Sequence, residues 1–220
     1  MTTIDGERAP LMIYGAGGHG RVVLDAALAS GAFEIRGFLD DDPERRGEKI
    51  HGVPVLGGRE LLETDAVREC RVAIGIGTPS VRRNLCEVLL LLGVRPATIV
   101  HPSAILGLDV KIGEGSTVHP GAVIHTDATL NQCVIVNTLA SVDHDAWIGD
   151  YVHVAPGAHL GGGVRVGAGT LIGIGATVVP GRSIGENVTV GAGAVVIRDV
   201  PDGAVVAGVP ARPIERTSRV

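Results

Sequence analysis

Three consecutive residues, Asp143-His144-Asp145, carry the most pointed chemistry in the chain. An imidazole flanked by carboxylates is oriented and made more basic, which suits a proton acceptor near neutral pH. Gly162 stands three hexads further on. If three hexads make one turn of a coil, Gly162 stacks on His144 and its N–H can face an oxyanion. A second cluster lies near the N-terminus. Gly15-Ala16-Gly17-Gly18-His19-Gly20 follows the G-x-G-x-x-G pattern, and Asp40 comes about 20 residues later. Such a loop offers backbone N–H groups and a helix N-terminus to a diphosphate, and Asp40 offers a carboxylate to a ribose. A dinucleotide and a nucleotide-diphosphate sugar present the same base, ribose and two phosphates. The plainer alternative is a tight turn followed by a solvated acidic turn at Asp40-Asp41-Asp42.

The elements that must position these residues fall into two kinds. From Leu11 to Leu92 apolar runs alternate with helix-spaced segments. Strands are expected at Leu11–Tyr14, Glu34–Leu39, Val53–Leu56 and Arg71–Ile76. Helices are expected at Arg21–Ser30, Arg59–Glu63 and Val81–Leu92, with the Leu89–Leu92 run in the core. That alternation implies a small parallel sheet flanked by helices. From Val100 to Val196 every sixth residue is Ile, Leu or Val, and the residue four places on is nearly always small, Arg182 being the misfit. Period six fits neither an α-helix nor an alternating strand and calls for a repeat architecture. Each hexad gives one short strand and a turn, and three hexads close a triangular coil. Residues three hexads apart then stack about 4.8 Å from one another. Glycine follows the aliphatic position at many turns, including Gly113, Gly149, Gly167 and Gly173, where the backbone must approach closely or take positive φ. Asp199 to Pro213 breaks the hexads and is expected to cap the open end. The domains are therefore 1–97, an α/β domain that holds a nucleotide, and 98–220, a parallel β-helix with its cap.

The net charge of −5 and a pI near 5.9 exclude the basic stripe of a nucleic-acid surface. No apolar run approaches a membrane span, and no signal pattern opens the chain. Cys70, Cys86 and Cys133 have no metal spacing and suit buried thiols in a reducing cytoplasm. Glycine is abundant and aromatic residues are scarce, as a narrow prism with tight repeated turns requires.

The chain resembles the bacterial sugar-nucleotide N-acetyltransferases of the left-handed β-helix superfamily, the bacillosamine, perosamine and sialic-acid group. The resemblance rests on YGAGGHG (14–20), FLDDDP (38–43), VAIGIG (72–77), the hexads, NTLASVDHD (137–145) and GVPAR (208–212). It implies a left-handed coil, a homotrimer with active sites between subunits, acetyl-CoA as co-substrate and no metal. It implies His144 as general base, Asp145 as the neighbour that raises its basicity, and a glycine in the oxyanion role that stacking gives Gly162. It places the nucleotide sugar at the glycine loop, with Gly17, Gly18 and His19 at phosphates and sugar and Asp40, Asp41 and Gly75 around the nucleoside. His153, Ile174 and Ala192 match positions that contact acetyl-CoA, with Gly162 beside them.

Stacking adds two further expectations. Asn137 lies three hexads from His119, on an edge where it would touch sugar. His125 lies three hexads from Asp143, suggesting a structural hydrogen bond. The expected activity is acetylation of the amine of a nucleotide-linked 4-amino-4,6-dideoxy sugar, GDP-linked perosamine before a UDP-linked sugar, in cytoplasmic synthesis of surface polysaccharide. Two rivals share the fold: an O-acetyltransferase of the sialic-acid kind, and a zinc enzyme like the γ-type carbonic anhydrases with three converging histidines.

Overall fold

The computed structural model describes residues 8–214. The chain divides into two compact units, Met1–Pro102 and Ser103–Val220.

In the first unit, β1 (Ala9–Tyr14) leads through the glycine loop into α1 (Gly18–Ser30) and then β2 (Phe33–Leu39). A short hairpin, β3 (Lys49–Ile50) and β4 (Val53–Gly57), follows. After α2 (Asp65–Arg68) come β5 (Arg71–Ile74) and α3 (Pro79–Leu91). The sheet order is β3-β4-β2-β1-β5, with β1 parallel to both β2 and β5. The strand order therefore reverses across β1 and β5, and an open α/β sheet leaves its crevice beyond the carboxyl ends of such strands. Leu11, Ile13, Val23, Leu24, Ala27, Phe38, Ala73 and Ile99 form the core. Two expectations shift. Arg59–Leu61 is a single 3₁₀ turn, with α2 a separate helix after it. Of the four leucines at positions 89–92 only Leu89 is fully buried, and Leu91 is 87% exposed, because successive helical residues point in different directions.

The second unit is a three-faced prism of two-residue parallel strands. One face stacks Ile105–Leu106, Val123–Ile124, Ser141–Val142, His159–Leu160, Thr177–Val178 and Val195–Val196. The next stacks Lys111–Ile112, Thr129–Leu130, Trp147–Ile148, Arg165–Val166 and Ser183–Ile184. The third carries Thr117–Val118, Ile135–Val136, His153–Val154, Leu171–Ile172 and Thr189–Val190, and it ends on Val205–Ala207 with Arg212–Pro213 antiparallel beside it. Every pairing within the hexads joins residues three hexads apart, so the coil length follows directly from the hexad.

The physical cause is burial at the second strand position. Val118, Ile124, Leu130, Val136, Val142, Ile148, Val154, Leu160, Val166 and Ile172 are at most 1% exposed. Each contributes about 1.5–3 kcal/mol of hydrophobic stabilisation. The pattern lapses in the first coil, where Leu106 is 41% exposed. At the corners, Ser116 and Thr170 fill the small position, and each hydroxyl bonds a turn carbonyl and a backbone N–H.

The turn glycines act by close approach. A Cβ on Gly149 or Gly173 would lie within 2.5–2.9 Å of the backbone of the next coil. Positive φ falls two residues later in the turn, at Gly163 and Gly175 and also at Asp127, Asp145 and Asn187. Asp and Asn tolerate that region better than most side chains. Cys70 is a buried free thiol, and Cys86 and Cys133 are buried as well. No helix among the described residues is long and apolar enough to cross a membrane.

Candidate active site

His144 sits in the turn between Ser141–Val142 and Trp147–Ile148, on the edge shared by the first two faces. Its Nδ1 lies 2.7 Å from Asp145 Oδ2. A carboxylate only accepts, so Nδ1 carries the proton and donates it to this bond. In the neutral ring Nε2 then keeps its lone pair. The bond to Asp145 is the main cause that raises the His144 pKa above its ordinary value, and the negative charges of Asp143 and Asp145 add to it. Asp145 stands at positive φ, +58°. The turn needs a left-handed residue there, and an aspartate meets that need while holding the ring. Asp143 Oδ1 instead accepts the His144 backbone N–H at 2.8 Å. That bond takes the place of the one expected between His125 and Asp143, of which the described contacts contain none.

Gly162 lies under the His144 ring, one coil away. A Cβ at Gly162 would come within 2.5 Å of Nε2 and 2.6 Å of Cε1. Any larger residue would displace the imidazole. Gly161 N donates to Val178 O and Gly163 N to His144 O. No acceptor among the described residues takes the N–H of Gly162, the middle residue of the turn. The stack thus joins a proton acceptor and an unengaged backbone donor on one edge.

Asn137, Ile174 and Ala192 occupy a different edge, between the third and first faces, and His153 opens the third-face strand beside it. Asn137 Nδ2 lies 3.1 Å from His153 Nε2, and Asn137 Oδ1 accepts the Thr138 N–H at 2.8 Å. Asn137 is 8% exposed and His153 half-buried, whereas Ile174 is 61% exposed. His119, one coil below Asn137, is fully buried beside Thr117 Oγ1 at 3.2 Å. It has become a core residue of the prism.

In the first unit the glycines divide by function. Gly20 and Gly75 are packing residues: a Cβ on Gly75 would meet Gly20 Cα at 2.6 Å, and a Cβ on Gly20 would run into the Gly15 carbonyl. Gly15 has φ +100° and packs against Gly75 O. Gly17 and Gly18 face open space, with nothing within 4 Å of an added Cβ, at the N-terminus of the 13-residue α1. Backbone donors and the helix dipole make that position receptive to an anion.

His19 is half-buried, and burial, aided by the Arg82 charge, pushes its pKa down to about 4. It stays neutral at physiological pH. The two acidic residues are committed inside the protein. Asp40 Oδ2 accepts the Ala16 N–H at 2.7 Å, and Oδ1 accepts the Asp42 N–H at 3.0 Å. Asp41 accepts the Tyr14 hydroxyl at 2.5 Å, the Arg59 N–H at 2.9 Å and the Arg59 guanidinium at 3.0 Å. Burial opposes the Asp41 charge, but the bonds from Tyr14 and Arg59 outweigh it and hold the carboxyl below its usual range.

Arg82 escaped the sequence reading altogether. It is 1% exposed, and its Nη1 donates to Ile76 O at 3.1 Å and Gly77 O at 2.7 Å, so it shapes the loop after β5. Burial lowers its pKa to about 9. A polar residue four places into α3 looks like any helix-surface arginine until the fold is known. Among the described residues no group of three or more His, Cys, Asp or Glu is placed to hold a metal ion.

Comparison with known proteins agrees with both halves. Residues 10–89 match the family model of the PglD N-terminal domain, and residues 163–198 match that of the bacterial transferase hexapeptide repeat. GDP-perosamine N-acetyltransferase of Escherichia coli O157:H7 is 33% identical over 148 residues, 66% of each chain. The chain thus spans about two thirds of that relative's length. The acetyltransferase domain of PglB from Neisseria gonorrhoeae FA1090, in complex with acetyl coenzyme A, superposes with a TM-score of 0.88 at 38% identity, covering 94% of this chain and 100% of that one. PerB from Caulobacter crescentus, in complex with CoA and GDP-perosamine, gives a TM-score of 0.88 at 37% identity, with 94% and 98% covered. The glycine-loop domain, the hexad prism and near-complete likeness to these structures together make the chain a member of the sugar-nucleotide N-acetyltransferases of the left-handed β-helix, hexapeptide-repeat superfamily.

Proposed function

We propose that the chain transfers the acetyl group of acetyl-CoA to the amine of a nucleotide-linked 4-amino-4,6-dideoxy sugar. The neutral amine attacks the thioester carbonyl, and the developing oxyanion takes the Gly162 N–H. His144 Nε2 accepts the proton that the nitrogen sheds, while Asp145 steadies the ring as it becomes positive. The tetrahedral intermediate collapses, the C–S bond breaks, and the CoA sulfur leaves as the thiol once the proton returns to it. No covalent acyl-enzyme is required. One observation carries this reading: the Asp145–His144–Gly162 stack puts an oriented base and an open backbone donor against one another.

GDP-linked perosamine is the favoured substrate, supported by the names of the related proteins, with a UDP-linked 4-amino sugar next. Gly17 and Gly18 are proposed to take its diphosphate. Asp40, Asp41 and Gly75 are better assigned to holding the loop than to touching the nucleoside, since each is engaged within the protein. His153, Ile174 and Ala192 are proposed to meet acetyl-CoA. They lie on or beside a different edge of the prism from His144 and Gly162. A donor that touches both sets therefore needs edges from two copies, which favours a homotrimer with sites at its seams. Cytoplasmic synthesis of surface polysaccharide is the matching cellular role.

The test is release of free thiol from acetyl-CoA against a panel of GDP- and UDP-linked amino sugars. The proposal expects turnover with at least one 4-amino sugar and an amide product that resists mild base. Turnover confined to sugars without an amine would favour O-acetylation and refute it.

A further inference from the structure

The first unit has a second concave site, at the end of its sheet away from the glycine loop. β1 and β5 run parallel, and their amino-terminal ends contribute Ala9, Pro10 and Arg71 to its lining. The end of α2 and the turn after it supply Arg68, Glu69 and Cys70, and the loop after α3 supplies Gly93 and Arg95. These residues line a cavity of about 300 Å³, the small end of the range for ligand sites. Three guanidiniums thus stand against one carboxylate, in a chain whose net charge is −5. The side chains of Arg71 and Arg95 make no hydrogen bond or ion pair among the described residues, and Arg68 meets Asp65 only at 3.9 Å. Glu34, the other acid near Cys70, is already paired with Arg36 at 2.9 Å. The Arg95 carbonyl accepts the Val72 N–H at 3.1 Å, while its own N–H has no acceptor among the described residues. The Cys70 thiol donates to Ala66 O at 3.2 Å, and burial pushes its pKa up, so it adds no charge to the wall.

An arginine keeps its charge at every physiological pH, and its planar fork of donors matches an oxyanion in two parallel bonds. In a concave pocket with low-dielectric walls, like charges focus their field on whatever enters. Surface arginines commonly find a carboxylate of their own chain. Here two do not, and they line one cavity with a third. We propose that this cavity is a second anion site, which takes a small oxyanion of the phosphate or carboxylate class through Arg68, Arg71 and Arg95. The class follows from charge and size. An excess of guanidiniums calls for more than one negative charge, and about 300 Å³ suits a phosphate ester or a dicarboxylate better than a whole nucleotide sugar. The glycine loop lies at the carboxyl ends of the same strands, so the two sites are separate. β1 joins them across six residues, about 20 Å.

The experiment is isothermal titration calorimetry of the full-length protein with inorganic phosphate in one arm and succinate in the other, in a buffer free of both. The expected result is saturable binding of at least one of them, with a Kd at or below about 10 mM. Arg71→Gln and Arg95→Gln should each weaken it at least about tenfold, the loss of one charge-assisted hydrogen bond. Arg83→Gln removes the same charge from an ion pair with Glu87 on α3, outside the cavity, and should leave binding within about twofold. Neither Arg71 nor Arg95 ties its side chain to another described residue, so both variants should fold, and if one does not, the other decides. A response to phosphate alone assigns the site to phosphate esters, one to succinate alone to carboxylates, and one to both to oxyanions at large. No saturable binding of either probe overturns the proposal. Binding that both Arg71→Gln and Arg95→Gln leave unchanged overturns it too, and points to the glycine loop as the binder. The result does not depend on the acetyl transfer proposed above.

Discussion

Gly162→Ala tests the proposed site most directly, because the structure says both what moves and by how much. The new methyl would lie 2.5 Å from His144 Nε2 and 2.6 Å from Cε1, against ordinary contacts of about 3.5–4.0 Å. The ring must retreat by about 1 Å. Its side chain is 56% exposed, so the easy direction is outward, away from the stack. Misplacing a reacting group by about 1 Å costs roughly 10²-fold in rate, or about 2.7 kcal/mol of barrier. Thiol-release kinetics should therefore show kcat about 10²-fold lower, with the KM for the nucleotide sugar within about twofold, since the glycine loop belongs to the other unit. Stability should change little, because no positive φ is required at Gly162. Gly163→Ala provides the contrast: Gly163 has φ +66° and open space around it, so the substitution should cost about 1–2 kcal/mol of stability while leaving the His144 ring where it is. Normal kcat in Gly162→Ala, at an unchanged pH profile, would refute the idea that the stack forms the catalytic edge.

Three further outcomes follow from the site. Asp145 raises the His144 pKa, and a base at His144 would act as the neutral ring, so the proposed function expects the acid limb of the kcat/KM–pH profile above the ordinary histidine value. Asp145→Asn, which tolerates the positive φ, should move that limb to lower pH, and a profile that does not move would remove Asp145 from this role. The sign for stability is the same: a folded-state pKa that is raised favours the fold at low pH, and the gain is lost as pH rises through the folded value. Asp40→Ala removes the acceptor of the Ala16 N–H, a charge-assisted bond of about 1.5–3 kcal/mol. It should raise the nucleotide-sugar KM by at least about tenfold, with acetyl-CoA KM unchanged, as steady-state kinetics would show. Arg82→Ala leaves the Ile76 and Gly77 carbonyls without their guanidinium and opens a cavity, which should destabilise by about 2 kcal/mol or more in denaturant unfolding.

The prism was legible in the sequence because its geometry is local. Each coil repeats the one before, so a single spacing of three hexads predicts which residues touch, and His144 over Gly162 follows by counting. The buried ladder from Val118 upward follows for the same reason. The glycine loop was legible as a strand-to-helix turn, and Gly17 and Gly18 are indeed the two that face outward.

What counting could not reach are contacts that join elements distant along the chain or out of register. Asp40 and Asp41 look solvated, but Ala16, Tyr14 and Arg59 come to them from 24, 27 and 18 residues away. Only packing of β2 beside β1 makes those carboxylates structural. Arg82 is buried because the loop after β5 folds over it, which helical spacing cannot reveal. Asn137 bonds His153 across 16 residues, from a corner to a strand, so the three-hexad ruler passes it by and pairs it with His119 instead. A repeat fixes which backbone levels stack. Which side chains turn toward each other between those levels is set by hydrogen-bond satisfaction in three dimensions, and that only the tertiary structure decides.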